Sequence, residues 1–444
     1  MSQIVERERR LDAVPSGVSR PWWQRMLRSP LFWLTLVLVP LYAYFLHSQW
    51  QMFTTSETFE DGTQTLAFTN ETVKRAAALA APTALVYAAL FIWLDRFRPQ
   101  NVLVWLLTFG WGAAASTWFS LHTNTWLGRQ MATTDADADM GSRAAIFSAP
   151  FTEEVSKATV LFLLLILFQR KIVSRLSMVA LAGLSAVGFA FVENIIYYGR
   201  VITYAVTDIS VANPEESIRE IVLLRGLYTS FGHPLFTILT ATGLVVGMQA
   251  RSRIVRIVAP LAGFLMSVLG HMIFNGLSST RPVDALKIPW IGALVLVALL
   301  IASLAISVAQ QSRLILHRLT DYQKQGWLTE RDVELFSGPF RRYTYLAKSI
   351  FWGPKRWWYT AKLVRRVTEL AYLRSEATRG IVADGALARS HDLLEEIDEL
   401  RPKALSTDPN VRPLGWRKKK AAPDQAPQPN HPGPAGLGGN WPAR

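Results

Sequence analysis

Residues 144–168 read A-A-I-F-S-A-P-F-T-E-E-V-S-K-A-T-V-L-F-L-L-L-I-L-F. A helix needs about 20 mostly apolar residues to cross a bilayer, and this run is long enough. It nevertheless carries Glu153, Glu154 and Lys157 in its interior. A charged side chain at the bilayer centre costs at least ~2.5 kcal/mol, so ionisable residues inside a span are functional candidates by default. The spacings of three and four place them on one helix face, where Lys157 can pair one glutamate and leave the other free for chemistry. Pro150 has no backbone N–H to donate and can irregularise the helix just before the pair.

Working outward, similar apolar stretches occupy residues 31–46, 76–94, 102–121, 176–198, 225–249, 254–278 and 288–309, which with 144–168 makes eight spans. The 444 residues are 50% hydrophobic and only 18% charged, below the roughly one quarter usual in soluble proteins. The expected fold is an all-α polytopic membrane protein of about eight transmembrane helices with a cytoplasmic helical, partly disordered C-terminal tail. No large soluble catalytic domain fits in the first two thirds. The absence of cysteine excludes thiol nucleophiles, thiolate ligands and disulfides together.

Lys and Arg outnumber Asp and Glu by 47 to 33, a net +14. In a membrane protein such an excess reports topology before it reports nucleic acid, and no nucleic-acid partner is expected. Arg96 and Arg98, then Arg170, Lys171 and Arg175, then Arg251, Arg253 and Arg256 follow the even spans, whereas the other loops are acidic or mixed. The positive-inside rule then puts both termini in the cytoplasm. Arg7, Arg9, Arg10, Arg20, Arg25 and Arg28 precede the first span without an apolar stretch and cleavage site, so no removable signal peptide is expected. The resulting division is a basic N-terminus (1–30), a transmembrane protease-like domain (31–309), a cytoplasmic or membrane-surface helical region (310–404) and a disordered basic, Pro-rich tail (405–444). Between Leu335 and Thr368 there is no acidic residue, while basic residues from Arg341 to Arg366 alternate with aromatic ones. Anionic lipids are the expected partner of that region.

Three other spans also carry polar groups: Glu193 beside Asn194, His233, and His271 with Asn275 four residues on. Counted from the outer end of each helix at ~1.5 Å per residue, these groups and the Glu153–Glu154 pair fall in one layer in the outer half of the membrane. Helices of alternating direction would not produce that by independent scatter. A purely structural network explains one Glu–Lys pair, but explains three glutamates, two histidines and an asparagine at one depth poorly, because such a network carries desolvation costs that apolar packing avoids. No H-E-x-x-H occurs and no span contains Asp, which removes the helical zincin and the aspartyl dyad. The tetrapeptide Gly183–Ala186, with Ser185, is a weak hint of a serine protease.

The motif A-P-F-T-E-E-V-S-K at Ala149–Lys157, F-x-x-x-E-N at Phe189–Asn194, His233, and H-x-x-x-N at His271–Asn275 together resemble the PrsW family of intramembrane proteases. That family is more distantly related to CAAX prenyl proteases and bacteriocin-immunity membrane proteins. The likeness covers roughly residues 75–310. It implies Glu153 and Glu154 as essential carboxylates, with Glu193, His233, His271 and Asn275 completing the site. CAAX enzymes usually have His where this chain has Glu193, which argues against a prenylated substrate. The implied activity is endoproteolysis of a membrane-anchored protein in a plasma membrane, expected to be bacterial.

Two mechanisms fit these residue types. In one, Glu193, His233 and His271 hold a divalent metal, zinc by preference, and Glu154 accepts the proton of water. In the other, a glutamate and His271 activate water without metal, and Asn275 stabilises the oxyanion. Catalysis would rest on Glu153, Glu154 and Asn275. A different class also stays open: a carrier that binds or moves metal ions or protons through the same cluster, for which inverted repeats would speak. No convincing repeat relates the two halves.

Overall fold

The structure is a computed structural model that describes residues 22–58, 64–97, 100–131, 143–168, 175–207, 213–280, 287–378 and 386–405. The basic residues 7–20 and the expected disordered tail beyond 405 lie outside them. The chain divides into two units, one spanning Pro21–Ser303 and the other containing Leu304–Arg444 with the first 20 residues.

In the first unit, a short helix α1 (Trp22–Leu27) leads into α2 (Pro30–Thr54) and α3 (Asn70–Leu94). Between these two, Glu57–Thr58 pairs antiparallel with Gln64–Thr65. The next helix, α4, runs as Val102–Gly110, a π-helical stretch Trp111–Ser116, and Thr117–Gln130. Helix α5 opens on the π-helical Ala144–Ser148 and continues as Ala149–Phe168. Then come α6 (Arg175–Thr207), α7 (Pro214–Leu223, extended by the π-helical Leu224–Tyr228), α8 (Gly232–Gln249), α9 (Arg253–Thr280) and α10 (Lys287–Lys324).

Among the described residues, seven helices are long and apolar enough to span a membrane, taking α7 and α8 together. The eighth expected span is α5. It has 20 α-helical residues, but Glu153, Glu154 and Lys157 put three charges into it, more than the apolar core of any of the seven holds. The first span, expected at 31–46, is a helix of 25 residues. Its extension is held where the Gln49 amide donates to the Ala114 carbonyl at 2.7 Å. The continuous span expected at 225–249 is broken at Thr229–Phe231. There the Thr229 hydroxyl caps the Leu224 carbonyl at 2.8 Å, and α8 restarts with Pro234 in its first turn, where a missing N–H costs nothing.

Helix α6 is the axis of this unit, with 78% of its apolar window buried, against 6% for α10. Small residues allow that burial. A Cβ on Gly188 would lie 2.1 Å from the Phe109 carbonyl oxygen, and one on Gly112 would lie 1.9 Å from that of Ser185. Backbone therefore rests on backbone between α4 and α6. Ser185, the hint of a serine protease, is fully buried and donates its hydroxyl to the Lys157 carbonyl at 3.0 Å, a structural use.

After α3 the buried Asp95 fixes a three-helix junction. One carboxylate oxygen accepts from the Ser177 hydroxyl at 2.6 Å, and the other from the Gln100 N–H at 2.8 Å and the Trp105 indole at 3.0 Å.

In the second unit, α11 (Glu330–Ser337), α12 (Arg341–Ile350), α13 (Pro354–Thr378) and α14 (Ala386–Ala404) form a helical cluster. Thr329 and Asp332 make a capping box at the start of α11, and the Asp332 carboxylate pairs with Arg401 at 3.1 Å. Arg342 belongs to the interior of this unit: it is fully buried and donates to Thr368 Oγ1 at 3.2 Å and to the Tyr343 hydroxyl at 3.0 Å.

Candidate active site

The polar residues of α5, α6, α8 and α9 meet. Glu154, with no exposed surface, receives four donors. Its Oε1 takes Lys157 Nζ at 2.6 Å and His271 Nδ1 at 3.1 Å, and its Oε2 takes the hydroxyls of Thr237 and Ser267, each at 3.0 Å. One carboxylate thus ties α5 to α8 and α9. Close approach of α8 and α9 makes this reachable, because a Cβ on Gly243 would stand 2.4 Å from the Ala259 carbonyl oxygen.

Glu153 is placed differently. Its Oε2 is buried without a hydrogen-bond partner; Lys157 Nζ lies 3.7 Å away and His271 Nε2 4.0 Å away. Glu153 lines a cavity of about 1230 Å³, together with Glu193, Arg225, His233, His271 and Asn275. Glu154 is not among the residues that line it.

Donor and acceptor logic fixes the His233 tautomer and one proton of His271. Lysine can only donate, so His233 Nδ1, 3.1 Å from Lys157 Nζ, is the acceptor, and its Nε2–H donates to Glu193 Oε2 at 2.7 Å. A carboxylate only accepts, so His271 Nδ1–H donates to Glu154, while its Nε2 stands 4.0 Å from Glu153 Oε2. Each imidazole therefore has one N–H held by a glutamate, the arrangement usual around metal-ligating histidines.

Glu193, expected among the metal ligands, stands outside the converging group, because its Oε2 is engaged by Arg225 at 2.5 Å as well as by His233. The group whose ligand atoms all lie within 4.8 Å of one another is Glu153, His233 and His271. Lys157 Nζ sits between His233 Nδ1 and Glu153 Oε2, where its ammonium stands in for a cation. The donor set therefore suits a divalent ion of the zinc type. Asn275, expected to hold an oxyanion, lines the cavity but commits one amide hydrogen to the Ala145 carbonyl at 2.9 Å, in the π-helical start of α5.

Arg225 is the site residue that the sequence reading passed over. Its Nε donates to Asn194 Oδ1 at 2.9 Å, and its guanidinium lies 3.7 Å from the centre of the Tyr197 ring. A charge balance finds it: two buried glutamates and the half-buried Glu193 against one lysine require another cation, and Arg225 stands at the start of the span expected at 225–249. Even so, three carboxylates face two cations, and with neutral histidines one negative charge is left over.

Residues 99–303 match the family model described as PrsW family intramembrane metalloprotease. The chain carries a PrsW-family domain. This is a family of intramembrane proteases, so the chain is a peptidase, and the matched stretch holds all six residues chosen from the sequence. No match was found among curated proteins or among solved structures.

Proposed function

We propose that the chain is an endopeptidase whose hydrolytic centre is Glu153, His233 and His271, and that it cuts a membrane-anchored protein near the outer leaflet. The observation that carries this reading is the buried Glu153 Oε2 without a hydrogen-bond partner, in a residue that lines the cavity together with two histidines that glutamates orient. These three residues would hold a divalent cation, zinc by its ligand preferences, which would supply positive charge to acidify water and polarise the scissile carbonyl. The surrounding residues keep that site in order. Glu154 and Glu193 hold the imidazole N–H groups, Arg225 neutralises Glu193, and Lys157 must withdraw from His233 Nδ1 when a cation arrives.

The Lys157 ammonium supports a second reading, because it already occupies the cation position. Glu153 would then take the proton of water directly, with no metal. The discriminating experiment is elemental analysis of the purified protein alongside assays after exhaustive chelation. About one zinc per chain, lost together with activity, supports the first reading. Full activity without metal sinks it.

Substrate cleavage near the outer leaflet, with both termini cytoplasmic, rests on the Lys and Arg distribution alone. The substrate is found by comparing membrane proteomes of cells carrying the wild-type chain and the Glu153→Gln variant. A single-span protein should accumulate uncut in the variant. Identical proteomes would count against the assignment of Glu153.

A further inference from the structure

The antiparallel pair α13 and α14 sorts its charges along its length. Towards one end, Arg366 pairs with Glu396 at 2.7 Å and Glu369 at 2.8 Å, and Arg389 pairs with Glu369 at 2.9 Å. At the other end, Arg356 donates to the Leu405 carbonyl at 2.5 Å and the Thr360 hydroxyl to that of Ala404 at 3.2 Å. That second end runs back into the corner joining α12 to α13, where Gly353 takes φ +102°, a conformation that side chains with a Cβ rarely adopt.

The corner presents what a soluble surface avoids. Phe351 is 88% exposed, Ile350 58% and Trp358 54%, with Trp352 and Trp357 exposed beside them. Lys348 and Lys355 flank these rings and are themselves exposed. No acidic residue occurs between Leu335 and Thr368, and among the described residues neither lysine is in a salt bridge. Tryptophan and lysine side by side suit the boundary between headgroups and acyl chains, where rings settle and ammonium groups meet lipid phosphates. Each basic residue near an anionic leaflet contributes about 1 kcal/mol. The chain is already anchored by its spans, so a weak local affinity suffices.

We propose that the corner from Lys348 to Trp358 docks on an anionic lipid surface, with Phe351 and Trp358 entering the headgroup region and Lys348 and Lys355 facing lipid phosphates. This surface is narrower than the whole basic stretch, because Arg342 is buried and Arg366 is paired within the unit. It does not depend on the proposed chemistry.

The cysteine-free chain allows a direct test on the full-length protein. A Phe351→Cys variant carrying an environment-sensitive fluorophore is placed in nanodiscs of phosphatidylcholine alone, or with about one third phosphatidylglycerol, each doped with a shallow nitroxide lipid. Quenching should be at least about twofold stronger in the anionic discs, and combined Lys348→Glu and Lys355→Glu should remove that difference. A probe at Glu399→Cys, on the acidic helix, should stay unquenched in both. Absent quenching at position 351, or equal quenching in both discs that ignores the charge reversals, overturns the proposal. So does shielding from aqueous iodide without quenching by lipid, the signature of a protein partner or a second copy of the chain.

Discussion

Neighbouring glutamates in one helix turn receive opposite environments, and their substitutions should separate. Glu154 has four donors, and converting it to Gln breaks the buried 2.6 Å pair with Lys157, leaving Glu153 at 3.7 Å as the nearest counter-charge. Breaking such a pair costs about 3–5 kcal/mol, so Glu154→Gln should lower the melting temperature in detergent along with activity. Glu153→Gln removes a group with no hydrogen bond at Oε2, so it should keep the melting temperature and lose activity by about 10²-fold or more. Thermal unfolding and a cleavage assay on both variants check this; a stable, inactive Glu154→Gln beside an active Glu153→Gln would reverse the roles. The six candidate residues were legible because polar groups inside an apolar run are conspicuous. The sequence could not say which glutamate faces the cavity, because that depends on Thr237 and Ser267, hydroxyls indistinguishable from ordinary helix serines and threonines until α8 and α9 are packed.

At the scale of elements, hydropathy was enough to find the helices, while their junctions needed the fold. Mean hydropathy over 225–249 hides the break at Thr229–Phe231, although the run T-S-F-G-H-P at Thr229–Pro234 marks a helix start with two hydroxyl residues, a glycine and a proline. The Asp95 junction has no such local mark, because Ser177 lies 82 residues away. Burial lifts the Asp95 carboxyl from its ordinary 3.8 to about 6, although Ser177, Gln100 and Trp105 all donate to it and favour the charged form. The folded state therefore binds this proton more tightly than the unfolded chain. Its stabilising effect is complete below about pH 3.8 and is lost as the pH rises through about 6. Melting temperature recorded against pH should fall across that window, and Asp95→Asn should flatten the fall. An unchanged slope in the variant would assign the titration to another group.

For the whole molecule, the proposed orientation makes a labelling prediction that requires no prior removal of cysteines. In intact cells, Thr55→Cys, after α2, should react with an impermeant maleimide, and Ser252→Cys, between α8 and α9, only after lysis. The reverse pattern would turn the protein over and move cleavage to the cytoplasmic half. Among the described residues, the π-helical stretches Trp111–Ser116, Ala144–Ser148 and Leu224–Tyr228 bear on how such a chain tolerates insertions and deletions. A π turn is an α turn holding one additional residue. Deleting one residue from Ala144–Ser148 rewinds the stretch as α-helix through about the same angle, so the phase beyond it is kept and Glu153 still points towards His233 and His271. Deleting one residue from the regular α turn Ala149–Thr152 instead rotates Glu153 by about 100° relative to the helix start. The first deletion should leave a folded protein that still cuts its substrate and the second a folded, inactive one; loss of cleavage in both alike would show that the π turn has a role of its own. Length variation within this family domain would then be confined by phase: free in the loops, open at these π turns to the loss of a single residue, and closed in the regular helix between them and the site.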